Sequence, residues 1–413
     1  MNREVNPWES NMNKRMKVSR LIGSMAVLLS TVFISGAQAQ DFGSEESFVE
    51  IHGYVDLTYF DYQKSGDPDL PFSDGGGIPT FDNNHVTLFF GANLTQNLKA
   101  VTEFHYEHSI NEPELPQANV QWELGKPLTM VFGRYWLPFG TLGKHKIYQP
   151  TNDLVSYPYT VSQALPFHNA QNGIKLIGDI HPIMYELSFS NGFSGLDEDA
   201  GKKIAGEARD NNQNKLFTGR VMAHLIEGMD LGASYLTEKW DDNNIARISL
   251  WGVDAEYELG PLHLQAEYLG GKIQNPSGAA ATVDGVLRCN SGATDPACAE
   301  PNALRDNMGP LSEGDHNRSA YYVQAAYQVL KNRVGLNTAD LIVRYDVFRR
   351  DESKNLFPGE TKNQGDRTRL TAGVNISPRP HFHLKAEYQA VSEPGDQKSV
   401  RNNGVMAQAV VDF

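Results

Sequence analysis

Beyond its N-terminus the chain has no apolar run approaching the roughly 20 residues that a membrane-spanning helix needs, so a helical membrane bundle is excluded. Cysteine is scarce: Cys289 and Cys298 are the only two, and their segment offers too few further ligands to hold a metal. Basic charge is short, with 36 Lys+Arg against 50 Asp+Glu and a net charge of −14, which argues against nucleic acid as a partner. No Walker loop, dinucleotide glycine fingerprint, H-E-x-x-H or G-x-S-x-G is present. Gly192-Phe193-Ser194-Gly195 has the wrong spacing for a nucleophile elbow. No cofactor is therefore expected, nor any enzyme of these classes. The D-x-[DN]-x-[DN]-G calcium loop is also absent, although the acidic stretches Asp197–Asp199 and Asp210–Asn214 suit hard cations.

The first residues read as an export address. Lys14, Arg15, Lys17 and Arg20 form a basic region, Leu21 to Ile34 a mostly apolar run, and Ala37-Gln38-Ala39 a cleavage site. Residues 1–39 are expected to be removed as a signal peptide, leaving 40–47 as a short lead and 48–413 as one domain. Met12 or Met16 is an alternative initiator. The remaining chain has 31 Lys+Arg against 48 Asp+Glu, a formal charge of −17. In an exported protein, Cys289 and Cys298 are expected to pair as one disulfide.

From Phe48 onward, stretches of about ten residues alternate apolar and polar, the period that gives a strand two different faces. Val49, Ile51, Gly53, Val55, Leu57 and Tyr59 share one face, and Glu50, His52, Tyr54, Asp56 and Thr58 the other. Sixteen such stretches are predicted, beginning near Phe48, His85, Leu98, Ala118, Leu128, Asn172, Ile183, Leu216, Asp230, Arg247, Pro261, Ser319, Leu341, Arg367, Phe382 and Gly404. Short connections such as Thr95–Asn97, Gly125–Pro127 and Lys331–Asp340 alternate with long ones, among them Ser109–Gln117, Trp136–Gln171 and Gly270–Arg318. The pattern predicts an all-β fold: a transmembrane antiparallel up-and-down β-barrel of about 16 strands, with short periplasmic turns and long extracellular loops. A secreted β-sandwich also alternates. It does not explain sixteen consecutive up-and-down strands with long loops on one side only.

The C-terminus points the same way. Val405, Ala407, Ala409, Val411 and Phe413 alternate up to a terminal aromatic, which resembles the signal read by the barrel-assembly machinery. Ile51-His52-Gly53-Tyr54-Val55 and Gly133-Arg134-Tyr135-Trp136-Leu137-Pro138-Phe139-Gly140 add to this. With Phe413 they make the chain resemble the Gram-negative outer-membrane porins, and among them the phosphate-selective porin O and P-like group with the related carbohydrate and siderophore porins. The resemblance implies a homotrimer in the outer membrane, with lipid and lipopolysaccharide as neighbours. It also implies a third loop, here Trp136–Gln171, that folds into the barrel and narrows a water-filled lumen for small hydrophilic solutes.

If the apolar face points outward, the charged residues opposite it line the pore. The basic candidates are Arg134, Lys175, Arg220, Arg344, Arg369 and Lys385, with Lys144, His145 and Lys146 from the third loop. The acidic ones include Glu103, Glu107 and Glu123, with Glu186, Glu238, Asp254, Glu256, Glu267, Asp346 and Glu387. Opposed charges across a narrow pore would set up a transverse field that favours small dipolar solutes. Each charge also has a plainer reading, as a solvated part of a wet wall. Phosphate selectivity would demand a dense arginine ladder, which this mixed and acid-rich set lacks, so a general or mildly cation-preferring pore is expected. His381 and His383, two residues apart, are expected at the periplasmic rim, wet and unligated, while His105 and His108 stay ambiguous. A solute-specific siderophore or anion porin, and a rim-sited enzyme or adhesin, are the alternatives.

Overall fold

The computed structural model describes residues 48–63, 78–82, 85–108, 112–125, 127–141, 148–162, 170–193, 210, 212–241, 243–274, 280–283, 286–289, 316–333, 335–350, 366–392 and 402–413. Residues 1–39 and 40–47, the loop residues Lys144, His145 and Lys146, and Cys298 with its expected disulfide lie outside them.

The alternating stretches become strands in chain order. They are β1 (Phe48–Tyr62), β2 (Thr80–Asp82), β3 (His85–Thr95), β4 (Leu98–Glu107), β5 (Glu112–Gly125) and β6 (Leu128–Trp136). Next come β7 (Ala170–Ile180), β8 (Ile183–Ser190), β9 (Leu216–Ile226), β10 (Met229–Lys239), β11 (Arg247–Leu259) and β12 (Leu262–Ile273). The rest are β13 (Ala280–Val283), β14 (Val286–Cys289), β15 (His316–Arg333), β16 (Leu336–Arg350), β17 (Arg367–Arg379), β18 (Phe382–Ser392) and β19 (Gly404–Asp412). Sixteen long strands pair antiparallel with their neighbours in the chain, and β1 closes the circle against β19. The three-residue β2 pairs with β1 beside β3, while β13 and β14 form a separate hairpin. The fold is a closed antiparallel β-barrel of sixteen strands.

Closure leaves the sixteen-stranded wall without a free edge. Gly53 and Phe413 exchange backbone hydrogen bonds at 2.9 Å in both directions, and the register runs from Tyr54 opposite Asp412 to Tyr62 opposite Gly404. Gly53 has no room for a side chain: a Cβ there would lie 2.5 Å from the Thr87 carbonyl oxygen and 2.9 Å from the Phe413 ring.

The two faces sort as the alternation predicts. On β1, Val49, Ile51, Val55 and Leu57 are exposed, whereas Tyr54, Asp56 and Thr58 are buried. Phe132, Phe189, Phe217, Trp251, Val253, Val343, Leu370 and Tyr388 continue the exposed apolar face round the wall. The opposite face is polar and buried, with Glu103, Arg220, Glu267, Arg344, Asp346, Lys385 and Glu387 among its members.

Three boundaries differ from expectation. The Ser109–Gln117 loop is shorter, because β5 begins at Glu112 and runs through Pro113 and Pro116. A register shift opposite Glu103 and His105 accommodates that stretch. Prolines ordinarily argue against strand, and the expected start was Ala118. The Lys331–Asp340 connection contracts to residues 334–335, with Asn332 and Gly335 at positive φ. Here β15 and β16 pair down to Arg333 opposite Leu336. Finally, the expected Gly270–Arg318 loop contains the β13–β14 hairpin, and β12 extends to Ile273.

Candidate functional site

Seven connections at one barrel end are two residues long, for example His181–Pro182, Glu227–Gly228, Gly260–Pro261 and Pro380–His381. At the other end, the chain leaves β6 at Trp136 and returns in β7 at Ala170. The described parts of this connection hold a 3-10 turn at Gln149–Thr151 and a one-turn helix, α1 (Tyr159–Ser162). Most of its described residues are buried.

Carboxylates of the wall accept hydrogen bonds from this segment. Glu103 on β4 accepts the Trp136 indole N–H and the Tyr148 hydroxyl, each at 2.9 Å, and the Gln117 amide at 2.9 Å. Glu267 on β12 accepts the Thr141 N–H at 2.6 Å, the Thr141 hydroxyl at 2.9 Å and the Thr160 hydroxyl at 2.6 Å. On β16, Asp346 accepts the Tyr159 N–H at 3.0 Å. On β18, Glu387 accepts the N–H of Val155 at 2.7 Å and that of Ser156 at 3.2 Å. Ser234 on β10 accepts the Gly140 N–H at 3.0 Å, and Gln324 on β15 donates to Asp153 at 2.8 Å. Hydrogen bonds to charged groups contribute about 1.5–3 kcal/mol each, so this set offsets much of the cost of ordering the segment.

Cations of the wall meet the carbonyls. Arg344 reaches the Ser156 carbonyl at 2.9 Å and its hydroxyl at 2.7 Å, and its Nε donates to Asp346 at 2.9 Å. Arg369 donates to Asp346 at 3.2 Å and to the Tyr157 carbonyl at 2.5 Å, with its guanidinium 4.3 Å from the Tyr159 ring centroid. Lys385 donates to the Gln149 carbonyl at 2.5 Å. Asp346 thus neutralises two arginines while holding the first turn of α1.

Apolar packing completes the attachment. Leu137, Phe139 and Tyr159 belong to one buried cluster with Val131, Tyr135, Phe193, Leu216, Leu236, Trp240, Ile248 and Phe348. Leu154 packs with Ala326 and Ile342 in a second. Burial is the main cause that pushes the Tyr148 phenol well above its ordinary pKa, with the neighbouring Glu103 carboxylate adding to it. Tyr157 is pushed up by burial as well. Both therefore stay protonated through the ordinary pH range, Tyr148 donating to Glu103 and Tyr157 accepting from the Gln149 amide at 3.0 Å.

The other predicted wall residues have their own partners. Arg220 grips Asp254 bidentately at 2.6 and 2.8 Å. Lys175 lies 3.4 Å from Glu186 and 5.3 Å from the Tyr135 ring centroid, and reaches the Trp136 carbonyl at 3.4 Å. Half-buried Arg134 has Glu114 as its electrostatic partner. Glu107 sits with His85 and His105, and Glu123 is exposed beside the β5–β6 turn. Exposed His381 pairs with Asp412 at 2.8 Å, and His383 lies 3.3 Å from the same carboxylate. The structure therefore brings Glu103, Arg344, Arg369 and Lys385 together around one segment, puts Lys175 at its start on the Trp136 carbonyl, and leaves Arg220 and Glu123 apart from it. The sequence reading did not single out Ser234, Gln324, Ser156 or Thr160. No motif marks them, since their partners lie 94 to 188 positions away.

No family model matches the chain. A protein from Aquifex aeolicus (strain VF5), described as uncharacterized, is 24% identical over 383 residues, covering 88% of this chain and 79% of its own length. Among solved structures, the anion-selective porin from Comamonas acidovorans superposes with a TM-score of 0.58 at 12% identity, covering 89% of this chain and 100% of that one. The outer membrane channel DcaP of Acinetobacter baumannii gives 0.55 at 12% identity, covering 89% and 97%. Salmonella typhi OmpF gives 0.55 at 11%, covering 88% and 97%. At these identities the likeness shows the fold: the chain has the sixteen-stranded barrel architecture of bacterial porins.

Proposed function

We propose that the chain is an outer-membrane porin, a passive pore for small hydrophilic solutes whose lumen is narrowed by the inward-folded residues 137–141 and 148–162. The observation that carries this reading is the ring of wall groups, Glu103, Ser234, Glu267, Gln324, Arg344, Asp346, Arg369, Lys385 and Glu387, all bonded to that one segment. A segment tethered from so many strands is a fixed constriction. The exposed apolar face supports the membrane setting, because soluble monomers rarely leave contiguous apolar patches beyond a few hundred Å² in water. Closed barrels are one of the two structures that leave no unpaired backbone in lipid. Export by residues 1–39, assembly directed by Phe413, contact with lipopolysaccharide and a homotrimeric state belong to the same reading.

Selectivity follows from how the charges are used. The acidic wall residues serve as acceptors for the segment and as partners for Arg220, Arg344 and Arg369. Arginines spent in this way are not available to form an anion ladder, which favours a general or mildly cation-preferring pore over a phosphate-selective one. Planar-bilayer recordings of refolded protein in a salt gradient test this. Discrete steps with a cation-positive reversal potential are expected, while strong anion selectivity would move the reading toward a solute-specific anion porin. Folded barrel that conducts nothing would overturn the pore.

A further inference from the structure

A cluster outside the constriction carries separate chemistry. On neighbouring strands His85 stands opposite Glu107, and Thr87 opposite His105, so all four side chains lie on the polar face of β3 and β4. One ligand atom from each of His85, His105 and Glu107 lies within 4.8 Å of the other two. The imidazole rings are 5.6 Å apart between centroids and tilted by 35°.

Each ring is also oriented from behind. His85 Nδ1 contacts Asp56 Oδ2 at 2.7 Å, where Asp56 is fully enclosed and its other oxygen accepts the His85 backbone N–H at 3.3 Å. His105 Nδ1 contacts the Thr87 hydroxyl at 2.7 Å. Metal-bound histidines usually make this contact: one ring nitrogen ligates, and the other donates its N–H to a carboxylate or another oxygen that fixes tautomer and orientation. A carboxylate behind one imidazole is the common zinc form of it.

We propose that His85, His105 and Glu107 form a divalent transition-metal site on the barrel wall, with Asp56 and Thr87 as the groups that orient the two histidines. Two imidazole nitrogens and one carboxylate oxygen suit Zn²⁺, which takes three protein ligands and keeps a fourth position open for water or a solute's own donor. Donor atoms on one tetrahedral Zn²⁺ sit roughly 3.3 Å apart, given metal–nitrogen distances of about 2.0–2.1 Å. Loading the metal would draw the three donor atoms together from their 4.8 Å spread. The site would join β3 to β4 and, through Asp56, to β1. The exposed His108 is excluded from the ligand set because it pairs with Asp82 at 2.5 Å.

Isothermal titration of the refolded, metal-stripped full barrel with Zn²⁺ tests the assignment, with visible absorption of the Co²⁺-loaded protein as a second readout. One equivalent of Zn²⁺ is expected to bind, and tetrahedral Co²⁺ bands are expected to appear. H105A, H85A and E107Q should each weaken Zn²⁺ by more than the roughly 10–100-fold expected for D56N. H108A should bind as the unaltered chain does. Heat-modifiable mobility on electrophoresis checks that every variant has folded. Absence of Zn²⁺ binding to the folded barrel would overturn the site. So would equal affinity in H105A and H108A, which would place the metal elsewhere.

Discussion

Glu387 on β18 accepts the backbone N–H of Val155 at 2.7 Å, across 232 positions of the chain. The bond joins a wall strand near the C-terminus to the connection between β6 and β7. Together with its counterparts at Glu267 and Asp346, it makes the acidic surplus of the wall a scaffold for that connection. Removing two such acceptors in E267A/E387A should cost several kcal/mol of local attachment, at about 1.5–3 kcal/mol per charged hydrogen bond. Limited proteolysis should then cut within 137–169 at least tenfold faster than in the unaltered protein, while the barrel strands stay protected.

Asp346 is enclosed between Arg344 and Arg369. Its replacement leaves two buried guanidinium groups without their shared counter-charge, a change that typically costs about 3–5 kcal/mol. D346N is expected to lower the urea midpoint of unfolding from lipid vesicles, while E123Q, at an exposed position, should leave it unchanged.

The outward face gives a direct test of environment. Val253 is 47% exposed in the middle of β11. In a water-facing protein, V253R should stay within about 0.5 kcal/mol of the original. Against lipid it should cost about 2–4 kcal/mol near the bilayer midplane. Folding equilibria in vesicles are expected to show the larger loss.

At the seam, the space beside Gly53 is closed by Thr87 and Phe413. G53V forces a Cβ into that gap and should reduce the yield of heat-modifiable, folded barrel, with an overpacking cost of about 1–3 kcal/mol. Truncating Phe413 should lower assembly in cells more than refolding in detergent.

Tyr148 and Tyr157 bring a pH dependence. Burial favours their neutral forms, so the folded protein keeps their protons above pH 10, where an unfolded tyrosine loses them. The stability they contribute is complete below pH 10 and is lost as pH rises through their higher folded values. Ultraviolet titration should show phenols that ionise only when the barrel loosens, and Y148F and Y157F should each remove one of them.

Much of the fold was legible because a strand with one lipid-like and one polar face must alternate, and β1, β12 and β18 do so cleanly. What escaped had physical causes. Pro113 and Pro116 disguised the start of β5, and positive φ at Asn332 and Gly335 allowed a tighter turn than the polar Lys331–Asp340 stretch suggested. The register of β6 runs unbroken through Gly133 and sets Arg134 opposite Ala118 and Asn172, one position off the face of Val131 and Tyr135. Alternation put Arg344 and Lys385 on the polar face, but what they bond to was hidden. No local pattern reveals that Arg344 ends on Ser156 or Lys385 on Gln149, because those contacts exist only after closure. His85 was overlooked as a ligand because it opens its strand, where alternation has only begun.

Single-channel conductance in a planar bilayer addresses the central claim most directly, comparing the unaltered barrel with one in which residues 138–165 are replaced by a short flexible linker. Discrete steps are expected from both proteins, with a several-fold larger unit conductance from the replaced form. Equal conductance in the two would contradict the segment's role as the constriction, and silence from both folded barrels would contradict the pore itself.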